Sequence, residues 1–155
     1  MAGETYLFGP AGSGAFNNPN VWAPTVGAPP RSGQDQRLVV TSGTLVVPAG
    51  QPWDDFDVSV LGNATIAFSA VTFGNESTLN QTAPDATYTV TGGNLNNFGN
   101  IDIGGSGAQA TARLNLSGGA FVNNGPIDVD GNFLVGGGGP FINNSTFTIE
   151  NGIAQ

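Results

Sequence analysis

The chain has 155 residues, 39% of them hydrophobic and 9% charged, with no cysteine and no histidine. That length suits one domain, and the wealth of Val, Ile, Leu and Phe argues for a packed core and against disorder. A net charge of −8, with Arg31, Arg37 and Arg113 the only basic residues, leaves no cluster that could neutralise a phosphate backbone or an anionic membrane, so neither nucleic acid nor membrane is expected as a partner.

Without cysteine there is no disulfide framework or thiolate chemistry, and without histidine no imidazole base and no common zinc or iron ligand set. The first residues, MAGETYLFGPAGSG, lack a positive region followed by an apolar run, so no secretory signal is expected in them. No stretch approaches the ~18–20 apolar residues of a membrane span.

Residues 1–36 differ in composition from the rest. Pro10, Pro19, Pro24, Pro29 and Pro30 stand among many glycines, which excludes regular helix and disfavours central strands. Tyr6, Leu7, Phe8, Phe16, Val21 and Trp22 are too many large apolar groups for an inert linker. The segment therefore reads as an extended arm or cap that packs on its own domain or on a neighbour, with Tyr6, Leu7, Phe8, Phe16 and Trp22 as its candidate docking residues.

Residues 37–155 read as a second unit. From Leu38 onward, short alternating apolar runs such as LVVTSGTLVV, FDVSV, ATIAF and ATYTV are broken by Gly, Asn and Asp. Period two with turn residues between means strands, and no window carries a helical stripe. Three copies of one pattern then align: TYTVTGGNLNNFGNIDI from Thr87, RLNLSGGAFVNNGPIDV from Arg113 and FLVGGGGPFINNSTFTI from Phe133. Turn glycines coincide as Gly92 and Gly93, Gly118 and Gly119, Gly138 and Gly139. Leu95, Phe121 and Phe141 match, as do Asn97, Asn123 and Asn143, and upstream Tyr88, Leu114 and Leu134. Spacings of this size between copies make each repeat one coil of a solenoid, and the extra length between the first two copies falls in the polar stretch GGSGAQATA.

The expected fold is all-β: a parallel β-helix over 37–155 carrying an extended Pro/Gly-rich N-terminal arm. With coils stacked at ~4.8 Å, Asn97, Asn123 and Asn143 would form an amide ladder. An amide buried alone would cost about 1–3 kcal/mol, and the ladder removes that cost. Leu95, Phe121 and Phe141 would stack inside the core.

The motif G-G-x-[LF]-x-N-x-[GS]-x-[IF]-x-[IV] resembles coil repeats of right-handed β-helices in bacterial autotransporter passengers and filamentous-haemagglutinin-type adhesins. AFNNPNVW and VGAPPRSGQDQRLVV are similar to the opening segment of such surface proteins. Phage tailspike and fibre β-helices share the same physics, so the resemblance implies an architecture and leaves activity open.

Several groups could carry chemistry. Asp102 and Asp128 fall at equivalent outward positions, with Asp130 on the same side and Thr148 in the third copy; they would suit a glycosidase pair or calcium, against solvated strand residues. DVDGN (128–132) resembles the start of a calcium loop without its distal glutamate. Asp54, Asp55 and Asp57 sit beside Trp53 and Phe56 in WDDFD, a combination seen in sugar platforms and in calcium-stabilised loops, against a loop packed on the wall of the helix with its aspartates in water. Thr87, Thr89 and Thr91 would suit an ice-binding plane, but Asn115, Ser117 and Gly136 do not continue it. The sequons at Asn63, Asn75 and Asn80 are expected by chance in a chain this rich in Asn, Ser and Thr. No catalytic, cofactor or metal residue is assigned.

After the last repeat only ENGIAQ remains, with nothing to cover Phe141, Phe147 and Ile149, so the last coil is expected to meet another chain, more chain or a supporting surface. The leading functional expectation is a non-enzymatic virion surface protein, a phage capsid decoration or fibre, with a capsid or other virion protein and itself as a trimer for partners. A fragment of a secreted bacterial adhesin at the cell surface, with a glycan partner, is the alternative. A carbohydrate-active β-helix enzyme ranks third.

Overall fold

In a computed structural model, which describes residues 4–9, 12–23, 29–31, 33, 35–104 and 109–155, the chain is a parallel β-solenoid of about five turns. An N-terminal segment comes first: β1 (Thr5–Phe8), β2 (Gly14–Ala15), a 3₁₀ turn over Pro19–Val21 and β3 (Trp22–Ala23). The first complete coil holds β4 (Gln36–Val40) and β5 (Gly43–Val47), the second β6 (Phe56–Val60) and β7 (Ala64–Phe73). The third holds β8 (Thr78–Gln81) and β9 (Asp85–Asn97), the fourth β10 (Asn100–Ile103), β11 (Ala110–Leu116) and β12 (Gly119–Asn123). The fifth holds β13 (Ile127–Gly137) and β14 (Phe141–Asn143), and β15 (Phe147–Glu150) follows.

Three faces run the length of the stack. Face A carries β1, β4, β6, β8, β10, the first part of β13 and β15, in parallel register. Face B carries β2, β5, the first parts of β7 and β9, β11 and the second part of β13. Face C carries the ends of β7 and β9, then β12 and β14. Coil lengths vary only at corners. Ile101 pairs with Ile127, 26 residues on, but Ala110 pairs with Gly131, 21 on. The surplus in the fourth coil thus falls between faces A and B, at a corner that β13 crosses in one continuous strand, bending at Gly131 (φ +133°).

The core is the sum of the inward columns. On face A one column reads Leu38, Val58, Leu79, Ile101, Ile127, Phe147. Stacking like on like leaves each side chain touching its counterparts above and below, which is why β-branched and aromatic residues recur at these positions. Tight stacking also demands glycine at one corner: a β-carbon on Gly119 would collide with the Gly93 carbonyl, and one on Gly139 with the Gly119 carbonyl. Gly93 itself holds φ +66°, where an L side chain is strained.

One detail differs from the sequence reading. Val135, and not Leu134, stands in the column of Tyr88 and Leu114; Leu134 stacks outward on Arg113. The fifth coil is one residue shorter at the next corner, so aligning on the glycine pairs shifts the preceding strand by one place. The N-terminal segment is a cap on its own domain, one of the two placements open to it, rather than an arm docked on a neighbour. β1 and β2 already lie in the stack, and β3 runs antiparallel to β1, pairing Phe8 with Trp22. That returning strand covers the edge of face A. Tyr6, Phe8, Phe16 and Trp22 are all buried in the chain's own core, where burial offsets the conformational restriction of a Pro/Gly-rich segment; only Leu7 points outward, half-buried and paired with Val39.

Candidate functional site: the amide ladder and the two ends

The end of β9, β12 and β14 bring Asn97, Asn123 and Asn143 into one column. Asn97 Nδ2 donates to Asn123 Oδ1 at 2.7 Å, and Asn123 Nδ2 to Asn143 Oδ1 at 2.7 Å. The outer rung closes on the backbone, with Asn143 Nδ2 donating to the Ser145 carbonyl at 2.8 Å. Asn123 is wholly buried and Asn97 nearly so, while Asn143 is exposed. Below Asn97 the column continues as Phe73, which offers no donor, and among the described residues Asn97 Oδ1 accepts no hydrogen bond. Leu95, Phe121 and Phe141 stack beside the ladder, the two rings 5.4 Å apart with their planes inclined by 29°. Of the six turn glycines, Gly93, Gly118, Gly119 and Gly139 have no room for a β-carbon, whereas Gly92 and Gly138 do.

A second internal polar cluster escaped the sequence reading. On face A, Val40, Val60, Gln81, Ile103 and Val129 form one column, and Gln81 is buried in it. Its Oε1 accepts from the Tyr88 hydroxyl at 3.0 Å, and its Nε2 donates to the Ala83 and Thr111 carbonyls, both at 3.1 Å. Burial pushes the Tyr88 phenol up from its ordinary 10.0, because ionising it there would strand a charge away from water. The column that makes this lone amide conspicuous exists only once the coils are stacked, so the sequence alone offered no signal for it.

The carboxylates fall into separate groups. Asp102 and Asp128 are neighbours in register on the outside of face A, with Asn80 above and Thr148 below. Asp130 accepts from Asn151 Nδ2 at 3.2 Å, and Asn132 Oδ1 accepts from the Ile153 amide at 3.3 Å, so the ends of DVDGN bind the chain that follows. In WDDFD, Trp53 and Phe56 are buried against Phe16, Phe68 and Phe73. Asp55 accepts from the Asp35 amide at 2.9 Å, and Asp57 from the Thr78 hydroxyl at 2.7 Å, so these two carboxylates serve different partners. Among the described residues no three acidic groups are placed to hold a metal ion.

Thr87 alone continues as threonine toward the N-terminus: Thr44, Thr65 and Thr87 form one outward column, whereas Thr89 stacks on Ala67 and Val46.

The two ends contrast. At the N-terminal end, Phe8, Phe16 and Trp22 are at most 1% exposed, and Trp22 Nε1 donates to the Phe16 carbonyl at 2.9 Å. At the other end Phe141, Phe147 and Ile149 are only partly buried and Ile153 is 48% exposed. Residues 153–155 hydrogen-bond to Phe133 and Val135 as the start of a further rung. No family model, curated protein or solved structure matches the chain.

Proposed function

We propose that the chain is a non-enzymatic structural protein of a virion surface, a capsid decoration or fibre component, in which the solenoid acts as a rigid spacer. Support comes from the stack itself. Faces A and B keep parallel register from coil to coil, a build suited to a stiff spacer, and the first rung is sealed by an antiparallel return strand and an aromatic cluster. Because the aromatic groups of the N-terminal segment lie in the core, docking in this reading uses the outer faces of the coils.

The test is immunological. Antibody raised against the chain should label gradient-purified phage particles from the source culture in fixed stoichiometry. Label confined to the surface of intact bacteria would overturn the virion reading in favour of an adhesin.

A further inference from the structure

Two Asn-Gly pairs occur in the chain, Asn124 with Gly125 and Asn151 with Gly152. In such a pair no side chain on the second residue hinders its backbone nitrogen from attacking the amide carbon of the first, so asparagine is chemically least durable there. The fold decides whether the two atoms can meet, and it treats the two pairs differently. Asn124 is clamped between coils: its backbone amide donates to the Asn97 carbonyl at 2.7 Å, and its Oδ1 accepts from Asn144 Nδ2 at 3.1 Å. Gly125 is buried, and a β-carbon on it would collide with the Gly99 and Phe98 carbonyls. Asn151 and Gly152 are both exposed. Asn151 holds φ +54°, the left-handed region that asparagine enters more readily than most side chains. Two exposed hydrogen bonds fix it: its Nδ2 donates to Asp130 Oδ1 at 3.2 Å, and its carbonyl accepts from Gln109 Nε2 at 2.7 Å.

We propose that Asn151 is a site of spontaneous deamidation, and that its conversion loosens the rung formed by residues 153–155. The Gly152 nitrogen loses its proton and bonds to Asn151 Cγ, the side-chain amide leaves as ammonia, and a five-membered succinimide remains. Water then opens the ring, giving aspartate when it attacks the side-chain carbonyl and isoaspartate when it attacks the backbone carbonyl. Both products lose the donor to Asp130 and set a new carboxylate beside Asp130 and Glu150, which are neighbours in register. An attraction thereby becomes a repulsion. The isoaspartyl product also routes the main chain through Cβ, one atom longer, which moves residues 153–155 out of register with β13. That rung is held where the Phe133 amide donates to the Ile153 carbonyl at 2.9 Å and the Val135 amide to the Gln155 carbonyl at 2.6 Å. A short exposed segment held by few bonds is the kind that opens locally. The inference does not depend on where the protein works.

The intact chain is incubated in warm, mildly alkaline buffer beside a free peptide of residues 150–154, and peptide mass mapping follows both asparagines. Asn151 should convert at least tenfold faster than Asn124. The converted chain, separated by anion exchange, should exchange the Phe133 and Val135 amide hydrogens at least tenfold faster than the starting chain, with the amides of β11 unchanged. Asn151→Gly keeps the left-handed backbone and removes the reacting amide, so the more acidic species should fail to accumulate in it. Conversion at Asn124 as fast as at Asn151, both asparagines intact once the free peptide has converted, an acidic species forming equally fast in Asn151→Gly, or unchanged exchange at Phe133 and Val135 after conversion would overturn the proposal.

Discussion

The two ends of the solenoid are built from similar residues and reach different outcomes. Phe8, Phe16 and Trp22 at the beginning are enclosed, whereas Phe141, Phe147 and Ile149 at the end are partly open. The rungs themselves are alike, parallel and in register. What differs is that β3 turns back antiparallel across the first rung and that Trp22 is fixed by ring contacts to Tyr6, Phe8 and Phe16. A parallel stack cannot cover its own last rung, because each coil is covered only by the next; closure needs a strand of another kind.

The largest effect that would break this comparison is at the sealed end. Trp22→Ala should cost about 3–5 kcal/mol, as truncation of a buried aromatic does, and Phe147→Ala only about 1 kcal/mol because its ring is already partly in water. Urea unfolding of the two variants measures both. Equal costs would mean that the last coil is as well covered as the first.

The ladder sharpens the contrast between interior and end. Asn123→Ala removes a wholly buried rung, leaves the Asn143 carbonyl without its donor and opens a cavity, for about 2–4 kcal/mol. Asn143→Ala, at the exposed rung, should cost under about 1 kcal/mol. The ratio is read from thermal or urea midpoints at unchanged m-value.

How much of this was legible in the sequence follows from where each feature stores its information. Asn97, Asn123 and Asn143 share a local spacing with turn glycines, so their column could be drawn without coordinates. The earlier coils carry no such signature. Val58 over Leu79 and Val60 over Gln81 look like ordinary alternation, and their register emerges only in the stack. Gln81 and Tyr88 are seven residues apart on different faces, so their hydrogen bond was invisible to a search by column. Most opaque was the N-terminal seal: proline and glycine describe a segment that is neither helix nor central strand, and nothing local says that Trp22 will return beside Phe8.

Tyr88 yields a pH test within the interior. The folded phenol stays neutral well above its ordinary 10.0, while the unfolded chain releases that proton near 10. Stability is therefore complete below about pH 10 and falls above it, by about 1.4 kcal/mol per pH unit while only the unfolded form is ionised. Tyr6, also raised chiefly by burial and then by Glu4, adds to the same slope. Tyr88→Phe should flatten the alkaline slope by its larger part, at the expense of a lower plateau because Gln81 Oε1 loses its donor. An unchanged slope would mean that the phenol ionises inside the fold.

The smallest effect lies on the outside, where stacking like on like works against the fold. Asp102 and Asp128 are directly paired in adjacent parallel strands, and like charges so placed repel. Asn at position 128 would instead face an acceptor it can donate to, as Asn80 donates to Asp57. Asp128→Asn should therefore raise the melting temperature by about 1–3 °C at low ionic strength, and the gain should disappear near 1 M salt, where repulsion is screened within about 3 Å. A gain that survives high salt would place its origin in the new hydrogen bond; a loss would mean that the paired carboxylates hold something the uncharged variant cannot. The register that makes amides and rings cooperate inside the stack is thus the same register that sets these charges against each other on its surface.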